Sequence, residues 1–281
     1  METCSRSLVE RLGYASDARL VVLNCDDLGS SHSANLAALD AVERGVASSA
    51  TLMVPCPWAK EGALLFQGKD VGVHLTLTAE YPAYRWRSLT GAASLRDADG
   101  CFPATVQEVW EKADLEDVRR ECRAQIDQAL AWGVDVTHLD SHMGALQTEP
   151  RYYELYLELA AQYQLPLRMA GKRAEGALGF PIRTPADERG ILYPDDFFFR
   201  WKDSTAELLR RRLPQLGPGV AEFIFHPVLD GRELRAYDLD AAQVRVDDHA
   251  CAVAPETRAL LVAEHVQTIS FRPLRDLQRA H

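Results

Sequence analysis

The sequence predicts an α/β protein built on a parallel sheet covered by helices, either a barrel or a doubly wound sheet. Three observations carry that expectation. Short apolar runs rich in β-branched residues alternate about seven times with amphipathic helical stretches, which is the pattern of a parallel sheet. Polar residues suited to chemistry fall at or near the ends of four of those runs, the edge where parallel barrels carry their sites. No Gly-rich phosphate fingerprint follows the first run, which counts against a dinucleotide-binding fold. The 281 residues are 47% hydrophobic, enough for one large core, and barrels reach this size as single domains.

Ser7–Gly13 reads as a short helix leading into a first strand at Leu20–Asn24. That strand ends in two carboxylates, Asp26 and Asp27, then Gly29 and a serine pair able to open a helix. Ala34–Arg44 places Leu36, Leu39 and Val42 on one face and stops at Gly45. Ser49–Val54 reads as the second strand, Trp58–Phe66 as a helix, and Val71–Leu77 as a third strand with His74 inside it. Residues 78–103 have no clear period, the mark of a functional lid or binding loop. Thr105–Ala113 and Asp117–Trp132 read as helices, the second with Val118, Cys122, Ile126 and Ala129 along one face.

Val136–Ser141 is the fourth strand, followed at once by His142. Arg151–Gln164 reads as an amphipathic helix with Thr148 as N-cap and Pro150 in its first turn. Pro166–Ala170, carrying Arg168, reads as the fifth strand, and residues 171–199 as a second long excursion. Ser204 and Glu207 form a capping-box pattern for a helix to Leu213. Val220–Phe225 runs as a strand into His226-Pro227; residues 231–253 show no decisive period. Glu256–His265 reads as a helix and Gln267–Phe271 as a closing strand.

Composition narrows the function. A net charge of −10, from 31 basic and 41 acidic residues, argues against a nucleic-acid partner. Six scattered cysteines contain no C-x-x-C pair, so neither a disulfide framework nor a structural zinc site is expected. No apolar run approaches a membrane span and no leader-like segment opens the chain, so a soluble, cytoplasmic protein is expected.

Two adjacent carboxylates repel one another unless a cation or proton lies between them. One Asp with two His makes a facial ligand set for a divalent metal, and one of Asp26 and Asp27 with His74 and His142 supplies those types, leaving the other Asp to handle protons. His74 alone also suits a packed core position. His138 and His142, four residues apart on a strand, lie about 13 Å from one another, too far to share one ion; His142 is therefore the ligand and His138 structural. Asp140 shares their face, placed to orient an imidazole or to serve the fold alone. His226 at a strand mouth suits a general acid with a pKa near neutrality or a buried ring donating to a backbone carbonyl. Arg168 suits binding a substrate oxygen or, in the simpler case, pairing with an Asp, and Cys25 suits a buried thiol.

Four blocks together resemble the YdjC-like carbohydrate deacetylases: Asn24-Cys-Asp-Asp-Leu-Gly29, Val71-Gly-Val-His-Leu-Thr-Leu-Thr78, Thr137-His-Leu-Asp-Ser-His142 and Glu222-Phe-Ile-Phe-His-Pro227. The resemblance implies a single-domain, irregular, TIM-barrel-like (β/α) barrel over residues 1–281. It implies binding of Mg²⁺ or another divalent ion such as Zn²⁺, removal of acetyl groups from N-acetylated sugars, and a homodimer. By position, Asp27, His74 and His142 match the metal ligands, Asp26 the catalytic base and His226 the proton donor. The chitooligosaccharide members continue past the last ligand with further histidines, where this chain reads Met143-Gly144-Ala145-Leu146. Other readings are a metal-dependent barrel isomerase or phosphoesterase, and a sugar-binding homologue without catalysis.

Overall fold

The computed structural model describes residues 6–201 and 203–280. Among these, seven strands form one parallel sheet in the order β4-β3-β2-β1-β6-β5, with β7 pairing beside β1. The strands are β1 (Arg19–Leu28), β2 (Ser49–Leu52), β3 (Val71–Leu75), β4 (Val136–Ser141), β5 (Asp196–Phe198), β6 (Gly219–Phe225) and β7 (Gln267–Thr268). Helices in the crossovers cover the outer face, as parallel pairing requires. The expected α/β barrel architecture is what the chain adopts, as a curled and irregular version of it.

The fifth strand is not where the sequence suggests. Pro166 has no N–H to give a ladder, and Pro166–Ala170 is reduced to one bridge, Leu139 with Leu167. The Leu167 N–H donates to the Leu192 carbonyl and the Arg168 N–H to that of Leu139, so this stretch stitches β4 toward the next segment. The fifth ladder strand is Asp196–Phe198, inside the excursion 171–199. Three residues are too few to show a period. That excursion also holds helices Lys172–Leu178 and Arg183–Glu188.

Other boundaries shift for local reasons. Glu149, not Thr148, caps Pro150–Tyr163, its carboxylate accepting from the Arg151 and Tyr152 N–H groups. Residues 231–253 contain helices Arg232–Tyr237 and Ala242–Val253. The closing strand is shortened to Gln267–Thr268, and helix Arg272–Arg279 follows. The loop 78–103 is closed on itself at its base: Ala79 N–H donates to the Pro103 carbonyl, and the Trp86 indole donates to that of Thr78.

Side chains on a strand alternate between faces, and β1 shows what this does to the core. Val21, Leu23 and Cys25 join the large cluster packed under the helices, with Phe223 and Phe225 from β6. Leu20 and Val22 instead join Val220, Ile269, Phe271 and Leu274 in a second apolar cluster. The next positions on that same face of β1 are Asn24 and Asp26, both buried. One face thus changes from hydrocarbon to hydrogen-bonding groups toward the C-terminal mouth.

Candidate metal and catalytic site

A cavity of about 470 Å³ opens at that mouth and is lined by Asp26, Asp27, His74, His142, Arg168 and His226, among others. Successive strand residues should point to opposite faces, yet both aspartates reach the cavity. The β1–β2 register slips between Cys25 and Leu28, and Asp27 has φ 63°, a left-handed backbone that Asp tolerates better than most residues. The irregularity turns the second carboxylate inward beside the first.

Strand register places the next pair. His74 on β3 and Asp140 on β4 are ladder partners, and His74 Nδ1 meets Asp140 Oδ1 at 2.6 Å. That contact uses one ring nitrogen and leaves Nε2 facing Asp27 Oδ1 at 3.4 Å. His142 begins the tight turn after β4, where Met143 also takes positive φ. Its Nδ1 lies 3.4 Å from Asp27 Oδ1 and 3.3 Å from His74 Nε2, and its Nε2 lies 3.1 Å from Glu80. Burial works against charge on both rings. Asp140 and Asp27 outweigh it at His74, raising it to about 10, and Glu80 and Asp27 raise His142 to about 9.

Three donor atoms therefore stand at the corners of a nearly regular triangle, with edges that ligands roughly 2.1 Å from one ion span. Asp27 Oδ1 is buried without a hydrogen-bond partner among the described residues, while Asp27 Oδ2 accepts from Arg245 at 2.7 Å. Burial would raise the Asp27 carboxyl, but Arg245 and the two imidazoles hold it well below the usual range. An anionic oxygen aimed between two ring nitrogens fits a divalent cation.

Asp26 sits apart from this triangle. Arg168 clamps both of its oxygens at 2.7 Å and also reaches Asp140 at 2.6 Å and Glu222 at 2.8 Å. Burial opposes ionisation of Asp26, yet Arg168 and His74 lower it to about 2. Glu222 gives up the excess negative charge: burial, with Asp26 and Asp140 nearby, overcomes Arg168 and raises its carboxyl to about 7, so that it readily holds a proton. Arg168 does pair with an Asp, as its position suggests, and does so at the centre of the site.

His226 follows β6. Its backbone N–H donates to Asp248 Oδ2 at 2.7 Å, and its ring Nε2 lies 3.9 Å from Asp26 Oδ2. Phe199 and Trp201 stand over the ring, with centroids 5.3 and 5.1 Å away. The near-neutral pKa expected for His226 is not met, because burial lowers it to about 4 and the nearby aspartates do not restore it. It is neutral at pH 7.

Asp26, Asp27, His74, His142 and His226, spread over two hundred positions, thus line one cavity. His138 does not reach it: its ring stacks on Phe271 at 3.7 Å and fills the space left by Gly72, where a Cβ would lie 2.6 Å from the ring. Cys25 is buried and burial pushes its thiol well up. Cys4 lies outside the described residues. The sequence reading missed Glu80, Arg245 and Asp248, whose partners are 62, 218 and 22 positions away. No local pattern marks such pairs.

The family model for YdjC-like protein matches residues 20–263. The chain belongs to the YdjC-like family. A Thermus thermophilus protein named carbohydrate deacetylase is 36% identical over 276 residues, covering 96% of this chain and 98% of that protein. Carbohydrate deacetylase 1 of Listeria innocua is 30% identical over 261 residues, covering 90% and 99%. The Geobacillus stearothermophilus carbohydrate deacetylase is 30% identical over 262 residues, covering 90% and 97%. A crystal structure of an Enterococcus faecalis protein, described there as a candidate for cellobiose-phosphate cleavage, superposes with a TM-score of 0.79 at 23% identity. It covers 92% of this chain and 99% of that one, and shows that the YdjC-like chain shares its fold. Among the described residues no helix is long and apolar enough to cross a membrane.

Proposed function

We propose that this YdjC-like protein is a divalent-metal-dependent hydrolase that removes the acetyl group from an N-acetylated sugar. The observation that carries the reading is the buried, unpartnered Asp27 Oδ1 facing His74 Nε2 and His142 Nδ1. The names of the curated relatives support a sugar substrate. Asp27, His74 and His142 would hold the ion. A divalent cation there supplies positive charge, which acidifies water and draws electron density from an acetyl carbonyl. One carboxylate with two imidazoles suits Zn²⁺ or Mn²⁺ as well as Mg²⁺.

The chain's own groups manage the proton. Asp26, held in one orientation by Arg168, takes a proton from the attacking water. Neutral His226, whose Nε2 lies 3.9 Å from Asp26 Oδ2, takes up that proton through one intervening water and passes it to the amine nitrogen as the C–N bond breaks. A resting pKa of about 4 suits a relay better than a preloaded acid. Phe199 and Trp201 shield the ring from water.

Acetate release from a panel of N-acetylated mono- and disaccharides, with and without chelator, tests the reading. Release that stops with chelator and returns with added metal is expected. Sugar binding with no acetate under any metal would make this a binding protein instead and overturn the proposal.

A further inference from the structure

Helix Ala242–Val253, which the sequence left undefined, carries the buried Arg245 to the edge of the site. Each arm of its guanidinium has a partner at 2.7 Å. Nη1 donates to Asp27 Oδ2, Nε to Asp238 Oδ2 and Nη2 to the Tyr81 hydroxyl. Its flat face lies 5.3 Å from the Trp201 ring. One side chain therefore joins the loop 78–103, the aromatic rim and the 231–241 segment to a single carboxylate.

We infer that Arg245 is a positioning residue that makes Asp27 a one-oxygen ligand. A carboxylate with both oxygens free would rotate or offer both to a cation. With Oδ2 tied to Arg245, only Oδ1 remains to face the imidazoles, and it is the oxygen found without a partner. The strained backbone of Asp27, at φ 63°, then has a side-chain anchor as well as its strand. Asp238 balances the guanidinium charge, so Arg245 orients the ligand without adding net charge beside the ion. The inference rests on the reading that Asp27, His74 and His142 hold a divalent cation.

The test is Mn²⁺ binding, followed by the electron paramagnetic resonance of free Mn²⁺, for the parent and for the paired variant Arg245→Met/Asp238→Asn. Replacing both leaves the net charge unchanged and leaves no buried Asp238 without its partner. Groups that orient a ligand from behind change metal affinity about 10–100-fold, so binding at least about ten-fold weaker than the parent is expected. Binding within about two-fold of the parent, even with a lower melting temperature, would overturn the inference and leave Arg245 a purely structural residue. Should the pair not fold, Arg245→Lys, which keeps the charge but cannot span three partners, is read against the same limits. A parent that binds no Mn²⁺ would instead sink the metal reading itself, so the two failures are distinct.

Discussion

Replacing Arg168 by Met keeps the length of the stem and removes the cation between Asp26, Asp140 and Glu222. Arg168 is 3% exposed, so water does not replace it. Breaking a buried ion pair by removing one partner costs about 3–5 kcal/mol. Protonation sets a ceiling: loading a carboxyl of ordinary pKa 3.8 at pH 7 costs roughly 4 kcal/mol. Glu222, already raised to about 7, relieves itself at almost no cost. The expected loss is therefore about 3–4 kcal/mol at pH 7, or about 6–8 °C in Tm. At pH 5 the same ceiling falls to roughly 2 kcal/mol, so the difference between variant and parent should shrink on acidification. Urea unfolding of both proteins at the two pH values measures it. A loss below about 1 kcal/mol, or one equal at both pH values, would show that Arg168 acts by packing rather than by charge.

Asp26→Asn keeps the hydrogen-bonding shape but cannot take a proton, and should lower kcat by about 10²–10⁴-fold with metal content unchanged; acetate release and metal analysis read the two separately. His142→Ala removes a triangle corner and should abolish stoichiometric metal binding in equilibrium dialysis while the far-ultraviolet circular dichroism stays native. The Glu222 carboxyl, raised from 4.5 to about 7, holds a proton when folded that the unfolded chain releases. Its contribution is therefore fully present below the unfolded value and is lost as pH climbs through about 7. Unfolding free energy should fall by roughly 3 kcal/mol across that window on this account, and Glu222→Gln should flatten the fall when both proteins are titrated by denaturant.

The readable part of this chain is the part written locally. Alternation of apolar runs and helical faces located β1, β2, β3, β4 and β6, and the polar groups at their ends led to one cavity. Asp140 was legible because strand parity put it on the same face as His138 and His142. What escaped depends on distance along the chain. Pro166–Ala170 looks like a strand but lacks the donor to join a ladder, whereas Asp196–Phe198 joins one with too few residues to betray it. Arg245 lies in a segment without period and meets Asp27 218 positions away. The acidity of His226 was misjudged because burial, which sequence does not display, outweighs the neighbouring charges.

The left-handed backbone at Asp27 bears on how any scan of this strand end should be interpreted. Alanine there would erase the carboxylate and at the same time impose a conformation that a β-carbon without a compensating polar group resists. The measured loss would mix chemistry with geometry. Asparagine tolerates that same turn, so the amide substitution isolates the charge, and the difference between glycine and alanine, neither of which has a carboxylate, isolates the torsion. Comparing those replacements would apportion the damage between the loss of the charge and the way the chain bends to present it.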